Sequence, residues 1–124
     1  MKKNRPVNLD LTTISFPLPA IVSILHRLSG VLLFLIIPLL LWTLQQSAFS
    51  EEGFLNVQDA LTSTLSKVII WVLLSAMIYH LIAGIRHLLM DMGIGEERKS
   101  GKVGAFIALG LSIVCAILVG VWLW

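Results

Sequence analysis

A chain of 124 residues that is 57% hydrophobic and 13% charged carries about half the charge of a soluble domain. Its mean hydropathy of +0.93 excludes an ordinary water-soluble fold and predicts an all-α integral membrane protein. The formal charge of +2 is the sum of segregated clusters, so distribution matters more than the total, and no nucleic-acid partner is expected.

Residues 1–18 form a polar-to-mixed arm with a basic start at Lys2, Lys3 and Arg5. Pro6, Pro17 and Pro19 prevent a helix before Ala20, and Pro19 suits the first turn of the helix that follows. No cleavable signal-peptide pattern is present: the first apolar run is too long, and no small-x-small site precedes a soluble domain. That run covers about 20–44, interrupted by Ser23, His26, Arg27, Ser29 and Gly30. About 20 apolar residues cross the hydrocarbon core, so it is long enough to span with some tilt. Pro38 is expected to kink it. Residues 45–66 form the first loop, with Glu51, Glu52 and Asp59. Phe54, Val57, Leu61 and Leu65 recur there at helical spacing, which predicts a short amphipathic helix on the membrane surface. A second span covers about 68–90, opened by Lys67 and Trp71. A polar connection at 91–102 holds Glu96, Glu97, Arg98, Lys99 and Lys102, and the third span, 103–124, has no charge.

Topology follows from counting cations. The arm has Lys2, Lys3 and Arg5, and the second connection has Arg98, Lys99 and Lys102, whereas the first loop has only Lys67. The positive-inside bias puts the N-terminus in the cytoplasm and the C-terminus on the periplasmic side. Trp42, Trp71, Trp122 and Trp124 then all fall at the outer interface, as an aromatic belt requires. The third span carries Gly104, Ala108, Ser112, Ala116 and Gly120 at every fourth position, a seam for close packing within this chain or against a partner. Cys115 beside it cannot form an internal disulfide and reads as filler.

Two polar clusters interrupt the apolar spans. His80, Gly84, His87 and Asp91 share one stripe of the second helix, and Ser23, His26, Arg27 and Gly30 share one face of the first. At 1.5 Å per residue, His26 lies ~13 Å inside Pro17 and His80 lies ~16 Å inside Asp91. Both depths are measured from the cytoplasmic side, so the clusters converge. Ionisable groups at such depth are expensive and are candidates for function by default. Imidazole can ligate haem iron, arginine and histidine can meet propionates, and glycine leaves room for a macrocycle. A serine hydroxyl and a guanidinium can equally hydrogen-bond a quinone carbonyl. Histidines satisfied between helices are the plain structural alternative. Ligation of one haem by His26 and His80 together, or shared with another subunit, is open at this point. Arg86, off the stripe near a helix end, reads as snorkelling to headgroups or pairing with a partner. Tyr79 reads as packing, and Asp91 at a helix C-terminus favours a cationic partner. An ion path is disfavoured, because no acidic residue lies mid-membrane and no inverted repeat is visible.

Arg5-Pro6-Val7, Leu11 and Ser23-x-x-His26-Arg27-x-Ser29 resemble the first signature of the cytochrome b membrane-anchor subunit of succinate dehydrogenase (respiratory complex II). His80-x-x-x-Gly84-Ile85-Arg86-His87-Leu88-x-Met90-Asp91-x-Gly93 resembles the second. The likeness extends over essentially the whole chain. It implies that His80 is one axial ligand of a haem b whose other ligand comes from a second, smaller anchor subunit. His26, Arg27, Gly84 and His87 would line the haem or its propionates. Ser23 and Arg27, with Phe16 at the wall, would line a ubiquinone pocket shared with the second anchor and the iron–sulfur subunit. A flavoprotein subunit would complete the complex in the bacterial cytoplasmic (inner) membrane. This chain has no flavin motif, cluster cysteines or nucleophile, so it is not expected to oxidise succinate alone. A haem-less structural anchor and the anchor of a quinol–fumarate reductase are the alternatives.

Overall fold

The computed structural model describes Asp10 and residues 12–124. Lys2, Lys3 and Arg5, with Pro6, Val7 and Leu11 of the first signature, lie outside the described residues. Four helices follow in order: α1 (Leu18–Phe49), α2 (Glu51–Thr62), α3 (Thr64–Asp91) and α4 (Arg98–Leu123). No strand occurs among the described residues. Three of the helices, α1, α3 and α4, are long and apolar enough to cross a membrane.

Local chemistry explains the boundaries. Pro17 has extended backbone ahead of α1, and Pro19 sits in the first turn, where its missing N–H costs nothing. The helix runs for 32 residues and continues on both sides of Pro38. At ~48 Å it exceeds the ~30 Å hydrocarbon core. It also takes in Gln45–Phe49, beyond the apolar run, because nothing stops it until Ser50. Ser50 then caps α2, its Oγ accepting from the Gly53 amide at 2.9 Å, and Glu51 and Glu52 place negative charge at the positive end of that helix. A Cβ at Gly53 would run into the Gln46 carbonyl, so this tight corner needs glycine. Ser63 caps α3 by accepting from the Ser66 amide. After α3, Gly93 and Gly95 both have φ of +80°, a left-handed conformation glycine adopts freely, and the chain reverses into α4.

In lipid, no hydrophobic force pulls helices together, so packing and interhelical hydrogen bonds hold the bundle. α3 is the central element, in contact with α1, α2 and α4. Val22 of α1, Ala83 of α3 and Ala105 of α4 are fully buried, with Leu18, Tyr79 and Leu109 around them. The small-residue seam of α4 serves this chain's own α3. Ala108 and Ser112 are buried, Gly104 lies under the Arg86 side chain and Gly120 under the Trp71 ring.

Three polar keys accompany this packing. The Tyr79 hydroxyl donates to the Val22 carbonyl at 2.7 Å, so Tyr79 both packs and bonds. Trp71 Nε1 donates to the Ala116 carbonyl at 2.8 Å, which makes this half-buried tryptophan part of the seam, whereas Trp42, Trp122 and Trp124 are exposed. The third key corrects an expectation. Arg86 does not snorkel outward: it is buried and donates from Nη2 to the Gly101 carbonyl at 3.1 Å. Gly104 on α4 lies against its long side chain, with the Arg86 Nε 3.5 Å from where a Cβ would stand.

Candidate functional site

The two polar clusters meet between α1 and α3, and more closely than matched depth alone requires. The His26 and His80 rings are stacked, with centroids 4.1 Å apart and planes 14° from parallel. The His87 ring lies against His26 from the other side of the stripe, at 5.2 Å and tilted by 55°. Helix geometry produces this group: His80 and His87 are seven residues apart, two turns along one face of α3.

Glycine makes the approach possible, reciprocally. A Cβ at Gly30 of α1 would stand 2.9 Å from Cε1 of His80, and a Cβ at Gly84 of α3 would stand 3.2 Å from Nε2 of His26. Each helix thus offers a glycine to the other's histidine. The room expected for a macrocycle is, at these two positions, taken by imidazole.

The hydrogen bonds define the state of His80. Its Nδ1 lies 3.1 Å from the His26 carbonyl oxygen and 3.0 Å from Ser29 Oγ. A carbonyl only accepts, and the Ser29 hydroxyl already donates its hydrogen to the same His26 carbonyl at 2.8 Å. Nδ1 therefore carries a hydrogen, and in the neutral ring it is Nε2 that keeps the lone pair. Nε2 has no hydrogen-bond partner among the described residues and is not sealed inside the chain. A neutral imidazole held through Nδ1–H with Nε2 free is the form in which histidine ligates a metal, so the donor chemistry fits a ligand to haem iron. As the two rings stand, the stacked His26 leaves no space for a macrocycle between the two histidines. Among the described residues, no three His, Cys, Asp or Glu side chains form a metal-ion cage.

The remaining site residues stand on the first helix and ahead of it. Ser23 is half-buried and Arg27 exposed, one turn apart on α1. Neither has a hydrogen-bond or ion-pair partner among the described residues. Both polar groups are therefore available to a ligand or another subunit. Phe16 is exposed in the extended segment just before α1. Ser29 is the residue that sequence reasoning passed over. It appeared in the first signature without a role, although its position three residues after His26 was the available signal. Two grooves lie elsewhere, one of about 730 Å³ between α1, α2 and α3 around Ile36, Leu40, Val57 and Ile70, the other of about 290 Å³ between α3 and α4 beside Arg86.

Residues 1–119 match the family described as succinate dehydrogenase/fumarate reductase transmembrane subunit. The chain is similar to the succinate dehydrogenase cytochrome b556 subunit of Coxiella burnetii, 43% identical over the full length of both chains. It is 34% identical to the subunit of the same name from Paracoccus denitrificans, over 93% of this chain and 88% of that one. The counterpart from Rickettsia prowazekii is 31% identical over 97% of this chain and 90% of its own.

Proposed function

The chain belongs to the family of succinate dehydrogenase/fumarate reductase transmembrane subunits, and from that membership we propose that it binds haem b and ubiquinone as the large cytochrome b anchor of a succinate:ubiquinone oxidoreductase. The observation that carries the haem reading is the state of His80: Nδ1–H engaged at 3.0 and 3.1 Å, Nε2 free and outward. The cytochrome names of the relatives support the same reading, and their succinate dehydrogenase names favour succinate oxidation over the reverse direction.

In this reading His80 would supply one ligand to the haem iron, and the resemblance to the family implies that the other would come from a smaller anchor subunit. A bound haem b supplies a one-electron centre beside the electron path. His26, His87 and Arg27 present imidazole and guanidinium donors toward propionates. Ser23 and Arg27 hold the quinone: the hydroxyl and the guanidinium, both unengaged by this chain, donate to its carbonyl oxygens, with Phe16 as an apolar wall. A cation fixed beside that carbonyl stabilises negative charge as electrons arrive. Electrons reach this site from the iron–sulfur subunit, which is fed by the flavoprotein, both on the cytoplasmic face of the bacterial inner membrane. The contribution of this chain is anchorage, half of the haem ligation and part of the quinone pocket.

Replacing His80 in the assembled complex tests the ligand. His80→Ala should abolish the six-coordinate haem signature in the reduced-minus-oxidised spectrum, and an unchanged spectrum removes His80 from the role. For quinone, Arg27→Ala should cut succinate-driven quinone reduction while reduction of soluble dyes by succinate persists. Equal loss of both activities would mean that Arg27 serves assembly instead.

A further inference from the structure

Resting on the assignment of His80 as haem ligand, we propose that Ser29 is its positioning residue: the Ser29 hydroxyl is the principal acceptor for His80 Nδ1–H and sets the plane in which the ring presents Nε2.

The inference comes from counting lone pairs. The His26 carbonyl oxygen has two. As an α-helical carbonyl it receives the amide of Gly30, four residues on, and it also accepts the Ser29 hydroxyl hydrogen at 2.8 Å. Both lone pairs are then committed, and His80 Nδ1, at 3.1 Å, arrives as a third donor. Ser29 is in the opposite condition. It has given its one hydrogen away and keeps its own acceptor capacity, and Nδ1 stands 3.0 Å from its oxygen. Ser29 is also buried, at 8% exposure, so water does not compete for that oxygen. The result is a directed chain, from imidazole N–H to serine O–H to the carbonyl, in which each bond polarises the next.

This bond does more than fix a tautomer. The His80 ring has one face on His26, at a centroid distance of 4.1 Å, and one edge over Gly30. Within that slot the ring can still rock about its Cβ–Cγ bond, as the 14° departure from parallel stacking allows, and the Ser29 oxygen selects the angle. A helix that contributes no axial ligand thereby sets the ligand's orientation. A hydrogen bond on Nδ1–H also makes the opposite nitrogen a better donor to iron. Ser29 therefore holds down the haem potential as well as orienting the axial plane.

The purified complex carrying Ser29→Ala, Ser29→Cys or Ser29→Thr tests this, with two readouts that packing alone would not move together. These are the equilibrium reduction potential of the haem and the ferric low-spin electron paramagnetic resonance spectrum, which reports the orientation of the axial ring planes. Ser29→Ala should keep its haem, because the freed His26 carbonyl takes over Nδ1–H, but with a tilted ring. The ferrous-to-ferric ratio at fixed applied potential should rise about threefold, equivalent to ~28 mV for a one-electron couple, and the g-values should shift. Ser29→Cys keeps the volume with a much weaker acceptor and should behave like alanine; it decides the matter if the alanine variant fails to assemble. Ser29→Thr keeps the hydroxyl and should match the parent. Parental potential and g-values in the alanine and cysteine variants would overturn the proposal, and so would an identical shift in all three. If His80→Ala retained the six-coordinate spectrum, the ligand assignment itself would fall, an outcome distinct from a silent Ser29 beside an essential His80.

Discussion

Adding one methyl group at Gly30 should displace the haem ligand without harming the helix that receives it. A Cβ there would stand 2.9 Å from Cε1 of His80, whereas ordinary contact begins at 3.4 Å, so the ring must retreat from α1 by about 0.5 Å. That retreat stretches the Nδ1 contacts, now 3.0 and 3.1 Å, to about 3.5 and 3.6 Å, past useful hydrogen-bond length. Loss of one such bond is worth about 1 kcal/mol, or roughly fivefold in haem affinity. Helix propensity moves the other way, alanine being better than glycine by about 1 kcal/mol. Gly30→Ala should therefore assemble at least as well as the parent, yet hold several-fold less haem per complex after dilution or washing. Two further glycines calibrate the scale. At Gly84 the nearest atom is 3.2 Å away, Nε2 of His26, so Gly84→Ala should show a smaller loss, and Gly110, with nothing within 4 Å, should show none. Haem content from the visible spectrum, set against assembled complex on a native gel, measures all three. Full haem retention in Gly30→Ala, or equal loss in all three variants, would refute the steric reasoning.

Trp71→Phe removes the donor to the Ala116 carbonyl and should lower the stability of the complex in detergent by about 1 kcal/mol, read as a drop in thermal midpoint with the haem spectrum unchanged. Arg86→Ala removes the Nη2 bond that ties α3 to the Gly101 carbonyl of α4 and leaves a void over Gly104, and should cost about 2–4 kcal/mol, visible as a larger fall in the same midpoint. In the arm, the Thr12 hydroxyl, at 2.7 Å, and the Thr12 amide, at 3.0 Å, both donate to Asp10 Oδ1 and hold its carboxyl below the ordinary value of 3.8. A lowered acid stabilises this turn above 3.8 and loses that stabilisation as pH falls through the depressed value. The Thr12 amide resonance should therefore be constant from neutral pH down to about 4 and move only below it.

Much of this arrangement is legible from spacing alone. The recurrence of His80, Gly84 and His87, and of Ser23, His26, Arg27 and Gly30, defines a face on each helix, and rise per residue puts the two faces at one depth. What spacing cannot carry is the rotation of one helix against another. Position near a helix end and off the stripe makes Arg86 read as a snorkelling side chain, and only the pairing of α3 with α4 shows that Gly104 lies against it and the Gly101 carbonyl accepts from it. The glycines show the same limit. A small residue beside a histidine announces that something bulky comes close, and an imidazole and a macrocycle leave the same mark in the sequence. The end of α1 was underestimated for a simpler reason: polarity falls at Gln45, but a helix stops where its backbone is intercepted, at Ser50.

The bonds that join α1 to α3 connect residues far apart in the chain: Ser29 to His80 spans 51 positions and Val22 to Tyr79 spans 57. The two helices therefore leave the ribosome as strangers. When α1 first enters the bilayer, its Ser29 oxygen and Val22 carbonyl have no counterpart, and none exists until α2 and most of α3 have been made. His80 acquires its fixed tautomer and orientation only when that late pairing closes. Readiness for a cofactor is thus a finishing event in the life of the chain, and it arises at the same moment as the pairing that brings α1 and α3 together.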